Sequence, residues 1–183
     1  MSDKFRDKYR IPSSRLSTHN YSSNGYYFIT ICTQNRENYL GEVINDTMKL
    51  SKIGTTAQNY WQEIPKHFPF VKLDEFVIMP NHIHGIIIIN NIVETQNFAS
   101  LPKSASLQQK MPQNQFGPQS KNLASIVRGY KIGVKKFVTI NNLNFSWQPR
   151  FYDSIIKNEK SLNRIREYIH NNAKNWNYDE NNK

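Results

Sequence analysis

Two histidines separated by one isoleucine, His82-Ile83-His84, stand inside the apolar run Val77-Ile78-Met79-Pro80-Asn81-His82-Ile83-His84-Gly85-Ile86-Ile87-Ile88-Ile89. Side chains alternate faces along a strand, so the two imidazoles point one way and Ile83 the other, into the core. Paired imidazoles on a rigid element make a two-ligand platform for a divalent cation. Further along, Tyr168 and Asn172 are four residues apart in a helical pattern, which sets them one turn apart on one face. A phenolic oxygen can act as a nucleophile, and an amide carbonyl oxygen suits a hard cation. If that helix packs beside the histidine strand, the four side chains form a metal site with an adjoining nucleophile. Taken singly, each has a blander role: core histidines, a half-buried tyrosine, a helix-capping asparagine.

Several elements must position these groups. The stretch Tyr26-Tyr27-Phe28-Ile29-Thr30-Ile31-Cys32-Thr33 is dense in aromatic and β-branched residues and reads as a central strand. A weaker extended pattern covers Gly41 to Leu50, with a turn at Asn45-Asp46. Ser51 is a candidate N-cap for a helix running to about Ile64 and closed by Pro65. Phe70 to Met79 and Ile83 to Ile89 read as strands joined tightly at Pro80-Asn81. A helix begins near Leu123, and Trp147 to Ile156 reads as an aromatic turn with a short strand. The final helix spans about Glu159 to Asn172 and carries Leu162, Ile165 and Ile169 on one side. This order predicts an α+β fold, a mostly antiparallel sheet with helices packed on one face. One domain is expected over residues 1–183, with a basic arm at 1–24 and a Gln-, Asn- and Ser-rich flexible loop at 91–120.

Charge narrows the partners. The chain of 183 residues carries a formal net charge of +10, which suits a polymeric anion and makes nucleic acid the leading candidate. Arg128, Lys131 and Lys135 on the middle helix, with Arg150 in the aromatic turn, are the candidate phosphate contacts; solvated surface cations are the alternative. A single cysteine, Cys32, excludes an intrachain disulfide and a cysteine-based zinc site. No stretch approaches the roughly 20 apolar residues of a membrane span, and the N-terminus lacks the apolar core of a signal peptide. No membrane partner and a cytoplasmic location are therefore expected.

The ordered set Gly25-Tyr26-Tyr27-Phe28-Ile29-Thr30, Val77 through His84, Trp147-Gln148-Pro149-Arg150-Phe151-Tyr152-Asp153 and Tyr168-Ile169-His170-Asn171-Asn172 resembles the single-tyrosine transposases of the HUH (histidine, hydrophobe, histidine) superfamily. Within it, the set is most similar to the REP-associated tyrosine transposases. The resemblance implies a ferredoxin-like antiparallel palm, with His82, His84 and Asn172 as ligands of Mg²⁺ or Mn²⁺ and Tyr168 as nucleophile. It implies cleavage of single-stranded or hairpin DNA through a 5′-phosphotyrosine intermediate. One departure is visible: relatives often carry proline after the asparagine, where Ala173 stands here.

Other readings remain open at the level of sequence. A cleavage-inactive module of the same fold could bind hairpin DNA or RNA, and Tyr130 is a rival nucleophile on a basic helix. A neutral phenol, with a pKa of about 10, needs help to ionise; Lys131 and Lys174 are the candidate helpers. Tyr168 could reach the histidines of its own chain or of a partner, which leaves a homodimer open.

Overall fold

The structure, a computed structural model, describes residues 20–91 and 121–182 and the backbone of two short paired strands, Lys4–Phe5 (β1) and Lys8–Tyr9 (β2). Most of the expected arm at 1–24 and of the loop at 91–120 lies outside the described residues.

A four-stranded antiparallel sheet organises the rest, and its strands come from widely separated parts of the chain. Gly25–Cys32 (β3) lies at the centre, flanked by His82–Ile89 (β7) and Tyr152–Ile156 (β8); Val71–Ile78 (β6) pairs with the outer side of β7. The short 3-10 turn Gln34–Arg36 (η1) follows β3. Gly41–Ile44 (β4) and Thr47–Leu50 (β5) then form a separate hairpin. Its two-residue turn places Asn45 and Asp46 at positive φ, a conformation these residue types tolerate and the strand twist favours. Ser51 caps the helix Lys52–Gln62 (α1), accepting the Gly54 N–H at 3.0 Å, and Pro65 opens the one-turn helix Ile64–His67 (α2). The β6–β7 connection is tight as expected: the Met79 N–H donates to the His82 carbonyl at 2.8 Å.

The helix Leu123–Ile140 (α3) begins at Asn122 with a reciprocal capping box to Ser125. It packs with α1 on one face of the sheet. There Tyr27, Ile29 and Ile31 of β3 and Ile83, Ile87 and Ile89 of β7 meet Trp61 of α1 and Val127, Val134 and Val138 of α3. These two helices form the expected layer on one face. Glu159–His170 (α4) instead crosses the opposite face, where Ile169, Leu162 and Ile165 pack on Ile86, Ile156 and Phe28. Its amphipathic stripe is narrow because it covers only this smaller cluster. A final 3-10 turn, Trp176–Tyr178 (η2), follows.

The strand alternation separates the two layers. Register pairs His82 with Cys32 and His84 with Thr30 across the strands, so these four side chains share the α4 face. Ile83 is fully buried on the other face and anchors β7 from beneath.

Candidate functional site

Along β7 both imidazoles are buried, and their rings lie 4.4 Å apart between centroids. Each has its Nδ1 side held. His82 Nδ1 lies 2.9 Å from Asn81 Oδ1, and Asn81 uses its amide donors on the carbonyls of Arg36 (3.1 Å) and Asn181 (2.8 Å). That arrangement leaves Asn81 Oδ1 as the acceptor, so His82 carries its proton on Nδ1 and keeps the Nε2 lone pair free. His84 Nδ1 lies 2.9 Å from the Thr30 hydroxyl. With Nδ1–H donated there, His84 Nε2 accepts the Tyr168 O–H at 3.0 Å.

Burial, reinforced by Arg36, lowers the His82 pKa to about 3. Burial and the neighbouring His82 lower that of His84 to about 3 as well. Both rings are therefore neutral at physiological pH, the state in which imidazole binds metal.

Helix α4 carries the complementary groups. Arg166 grips Asp74 of β6 in a two-point pair, Nε to Oδ1 at 2.8 Å and Nη2 to Oδ2 at 2.6 Å. Asp74 reaches α4 from a bulge between Leu73 and Phe76, where the β6–β7 register shifts. Two residues further, the Tyr168 ring stands at the sheet, 5.1 Å from the His84 ring and edge-on to Phe28 at 6.2 Å. Its hydroxyl stays protonated, since burial first and then Asp179 push its pKa up. Tyr168 thus reaches the histidines of its own chain.

Asn172 is almost fully buried, in the turns after α4. Its Nδ2 donates to Asp179 Oδ2 at 3.2 Å, which leaves Oδ1 as a buried acceptor with no partner. His82 Nε2 is likewise buried without a hydrogen bond, 4.0 Å from Asp179 Oδ2. Ligand atoms of His82, His84 and Asp179 all lie within 4.8 Å of one another. Orphaned buried acceptors are costly unless something else satisfies them. Two neutral imidazoles, a carboxylate and an amide oxygen together suit a divalent cation.

Asp179 is the functional candidate that sequence reasoning missed. It belongs to no strand or helix pattern. It returns to the histidines only because turns after His170 and the η2 segment fold back, with Trp176 6.0 Å from the His82 ring. Asn181 then ties this segment to Arg36, a short contact, and to Asn81. No periodic signal in the sequence marks such a return.

The four candidate phosphate contacts also converge. Arg128, Lys131, Lys135 and Arg150 line one cavity of about 480 Å³ between α3 and the turn after it. Two of them have structural duties as well. Lys131 Nζ donates to the carbonyls of Gln148 (2.7 Å) and Arg150 (2.6 Å), and Lys135 Nζ to that of Phe145 (2.5 Å). Lys131 therefore braces the aromatic turn, and Lys174, the other candidate helper, is exposed. The rival nucleophile Tyr130 is a core residue that donates to the Ala57 carbonyl at 3.0 Å. A second cavity, about 540 Å³, opens over Tyr168 and His84 and is walled by Thr30, Arg36, Arg150 and Phe151. Among the described residues no helix is long and apolar enough to cross a membrane.

No protein-family model matches the chain. An uncharacterized protein of Haemophilus influenzae is 43% identical over 169 residues, which are 92% of this chain and 91% of that protein. Among solved structures, a REP-associated tyrosine transposase bound to a REP hairpin aligns with a TM-score of 0.57 at 19% identity, over 93% of this chain and 77% of that one. At that identity the likeness establishes a common fold. Thus the chain belongs to the family of the Haemophilus influenzae protein and has the fold of a REP-associated tyrosine transposase.

Proposed function

We propose that this chain is a metal-dependent enzyme that nicks and rejoins single-stranded DNA near hairpins, with Tyr168 as its nucleophile. The observation that carries this reading is the 3.0 Å contact between the Tyr168 hydroxyl and His84 Nε2, beside the orphaned acceptors of His82 and Asn172. A phenol aimed at a metal-ligating cluster, at the mouth of an open cavity, is the arrangement that phosphoryl transfer to tyrosine requires. The likeness of fold to a transposase bound to hairpin DNA supports the same substrate class.

His82, His84 and Asp179 would hold the cation, with Asn172 Oδ1 as a fourth donor. Bound there, Mg²⁺ or Mn²⁺ would supply positive charge to the scissile phosphate. Asn81 and Thr30 orient the imidazoles from behind, so the donor atoms are arranged before any ligand arrives. Tyr168 Oη forms a bond to phosphorus while the bond to the 3′ oxygen breaks. The phenolic proton, held in the metal-free protein against His84 Nε2, leaves Oη, and the departing 3′ oxygen takes one up. The product is a 5′-phosphotyrosine link and a free 3′-hydroxyl. Because the phosphate remains an ester, another 3′-hydroxyl can reverse the step and join a new strand. The cations at Arg128, Lys131, Lys135 and Arg150 steer the phosphate backbone toward this centre.

Labelled hairpin oligonucleotides incubated with the protein and Mn²⁺ or Mg²⁺ test the reading. A covalent protein–DNA adduct is expected, and it should vanish in Tyr168→Phe and in His82→Ala. An adduct that survives Tyr168→Phe would overturn the assignment of the nucleophile. Binding without an adduct under either metal would make the chain a recognition module instead.

A further inference from the structure

Arg36 stands in the wall of the cavity that opens over Tyr168 and His84, and its guanidinium is only partly used. Nη1 donates to Cys32 Sγ at 2.8 Å and, in a short contact, to Asn181 Oδ1. Nε–H and the Nη2 N–H groups have no hydrogen-bond partner among the described residues. Neither acceptor is charged, since burial pushes the Cys32 thiol pKa up and keeps it protonated. No carboxylate among the described residues forms an ion pair with Arg36. The half-buried cation thus keeps an open N–H fork and an uncompensated charge.

That charge is felt at the candidate metal ligands. Burial and then Arg36 lower the His82 pKa; burial and then His82 lower that of His84, with Arg36 adding to the effect. Contacts tie the residue to the same centre. Asn181, whose Oδ1 receives Arg36, donates through Nδ2 to Asp179 Oδ1 at 2.8 Å. The Arg36 carbonyl accepts from Asn81, the residue that orients His82. The backbone adds a further sign. Asn35 and Arg36 both have positive φ, +54° and +59°, in the η1 turn. Glycine or asparagine takes up this left-handed conformation at less cost than a long side chain. Arginine at such a position points to a use for the side chain rather than for the turn.

The proposed reaction has need of this charge. A divalent cation held by two neutral imidazoles and one carboxylate leaves a single net positive charge, which the phosphodiester already cancels. Attack by the Tyr168 oxygen then builds more negative charge on the non-bridging oxygens. A guanidinium fork matches those oxygens in geometry and keeps its protons throughout. We propose that Arg36 is a catalytic residue whose free N–H groups bind the non-bridging oxygen of the scissile phosphate that the cation does not hold, and offset the charge that grows as Tyr168 attacks. The bonds made and broken are unchanged: Oη–P forms, P–O3′ breaks, and Arg36 neither gains nor loses a proton. This inference rests on the proposed DNA-cleaving function, and the test separates the two.

Single-turnover adduct formation on hairpin oligonucleotides is followed for the unsubstituted protein, Arg36→Gln and Arg36→Lys, together with calorimetric Mn²⁺ affinity and the Tm of each. On native DNA, Arg36→Gln should slow the adduct about a hundredfold, the scale of one donor lost from a charged transition state. Its Mn²⁺ affinity should not fall, because loss of a neighbouring positive charge favours a cation. The same proteins are then given oligonucleotides with a methylphosphonate at the cut, each diastereomer separately. Where the methyl group replaces the oxygen facing Arg36, the charge to be offset is gone. There Arg36→Gln and the unsubstituted protein should react at equal rates. Arg36→Lys carries the same comparison if Arg36→Gln does not fold, its smaller deficit vanishing with that one diastereomer. If the deficit persists on both diastereomers, or Mn²⁺ binding weakens in step with the rate, Arg36 only braces the Asn181 segment. The inference then fails although the adduct still forms. Absence of any adduct from the unsubstituted protein under either metal sinks the nuclease reading, and the role of Arg36 with it.

Discussion

Gly85 sits on β7 between His84 and Ile86, and its missing side chain is the slot that holds the Trp61 indole. A Cβ built there would stand 2.3 Å from Trp61 Cζ2, 2.8 Å from Cη2 and 3.1 Å from Cε2. Carbon atoms prefer about 3.5–4.0 Å, so the ring or the strand must move by more than about 1 Å. The ring has little freedom: Trp61 is fully buried, stacked on Phe76 at 5.7 Å and edge-on to Tyr130 at 5.4 Å. Overpacking of this kind costs about 1–3 kcal/mol. Alanine recovers about 0.4–1 kcal/mol by narrowing the unfolded ensemble. Gly85→Ala should therefore destabilise the protein by about 1–2 kcal/mol, a fall in Tm of about 2–8 °C for a chain of this size. If the strain is relieved by the strand, His84 moves with it and Mn²⁺ affinity falls too. Thermal and urea unfolding of the metal-free protein, with calorimetric Mn²⁺ titration, measure both effects. Trp61→Phe removes the clashing ring, so the double variant should be more stable than the sum of the two single losses by about 1 kcal/mol. An unchanged or raised Tm for Gly85→Ala, or strictly additive losses, would refute this account of the strand.

Other outcomes follow from the site. His82 and His84 titrate near 3 when folded and at the ordinary 6.5 when unfolded, so between these values the unfolded chain binds more protons. The stability of the metal-free protein should thus fall as pH drops from about 6.5 toward 3, by up to about 1.4 kcal/mol per pH unit for each histidine; a urea midpoint flat from pH 6.5 to 4.5 would contradict this. Tyr168→Phe removes the hydrogen bond that competes for the His84 Nε2 lone pair, so it should tighten Mn²⁺ binding about two- to tenfold. Weaker binding in that variant would mean that the phenol assists the ion. Arg166→Met releases α4 from Asp74 and should slow adduct formation by up to about a hundredfold while leaving DNA affinity nearly unchanged. Equal losses in rate and affinity would assign Arg166 to DNA contact instead.

Much of the site's cast was legible in the chain. Strand alternation alone set His82 and His84 on one face with Ile83 beneath; the helical spacing of Tyr168 and Asn172 held only in part, because α4 ends at His170 and Asn172 reaches the site from the turns that follow. Both are local periodicities, and local periodicity is what sequence encodes most directly. Ser51, Pro65 and the Asn45-Asp46 turn were readable for the same reason, since each acts on its own backbone within a few residues. Tertiary structure decided the rest. That α4 crosses the face opposite α1 and α3 follows from Leu162, Ile165 and Ile169 packing on Ile86, Ile156 and Phe28, and Arg166 pins it there to the bulged Asp74, 92 residues away, a pairing no spacing announces. Lys131, whose charge suggested a helper for the phenol, is turned to the carbonyls of the aromatic turn instead. Asp179 joins the histidines only through the fold-back after α4, and the tautomer of His82 is set by an asparagine whose own amide is tied to Arg36 and Asn181. The sequence determined which groups could do the chemistry and which of them share a face. Their meeting at one lone pair depended on contacts between distant segments, whose energies are won only when the whole chain packs.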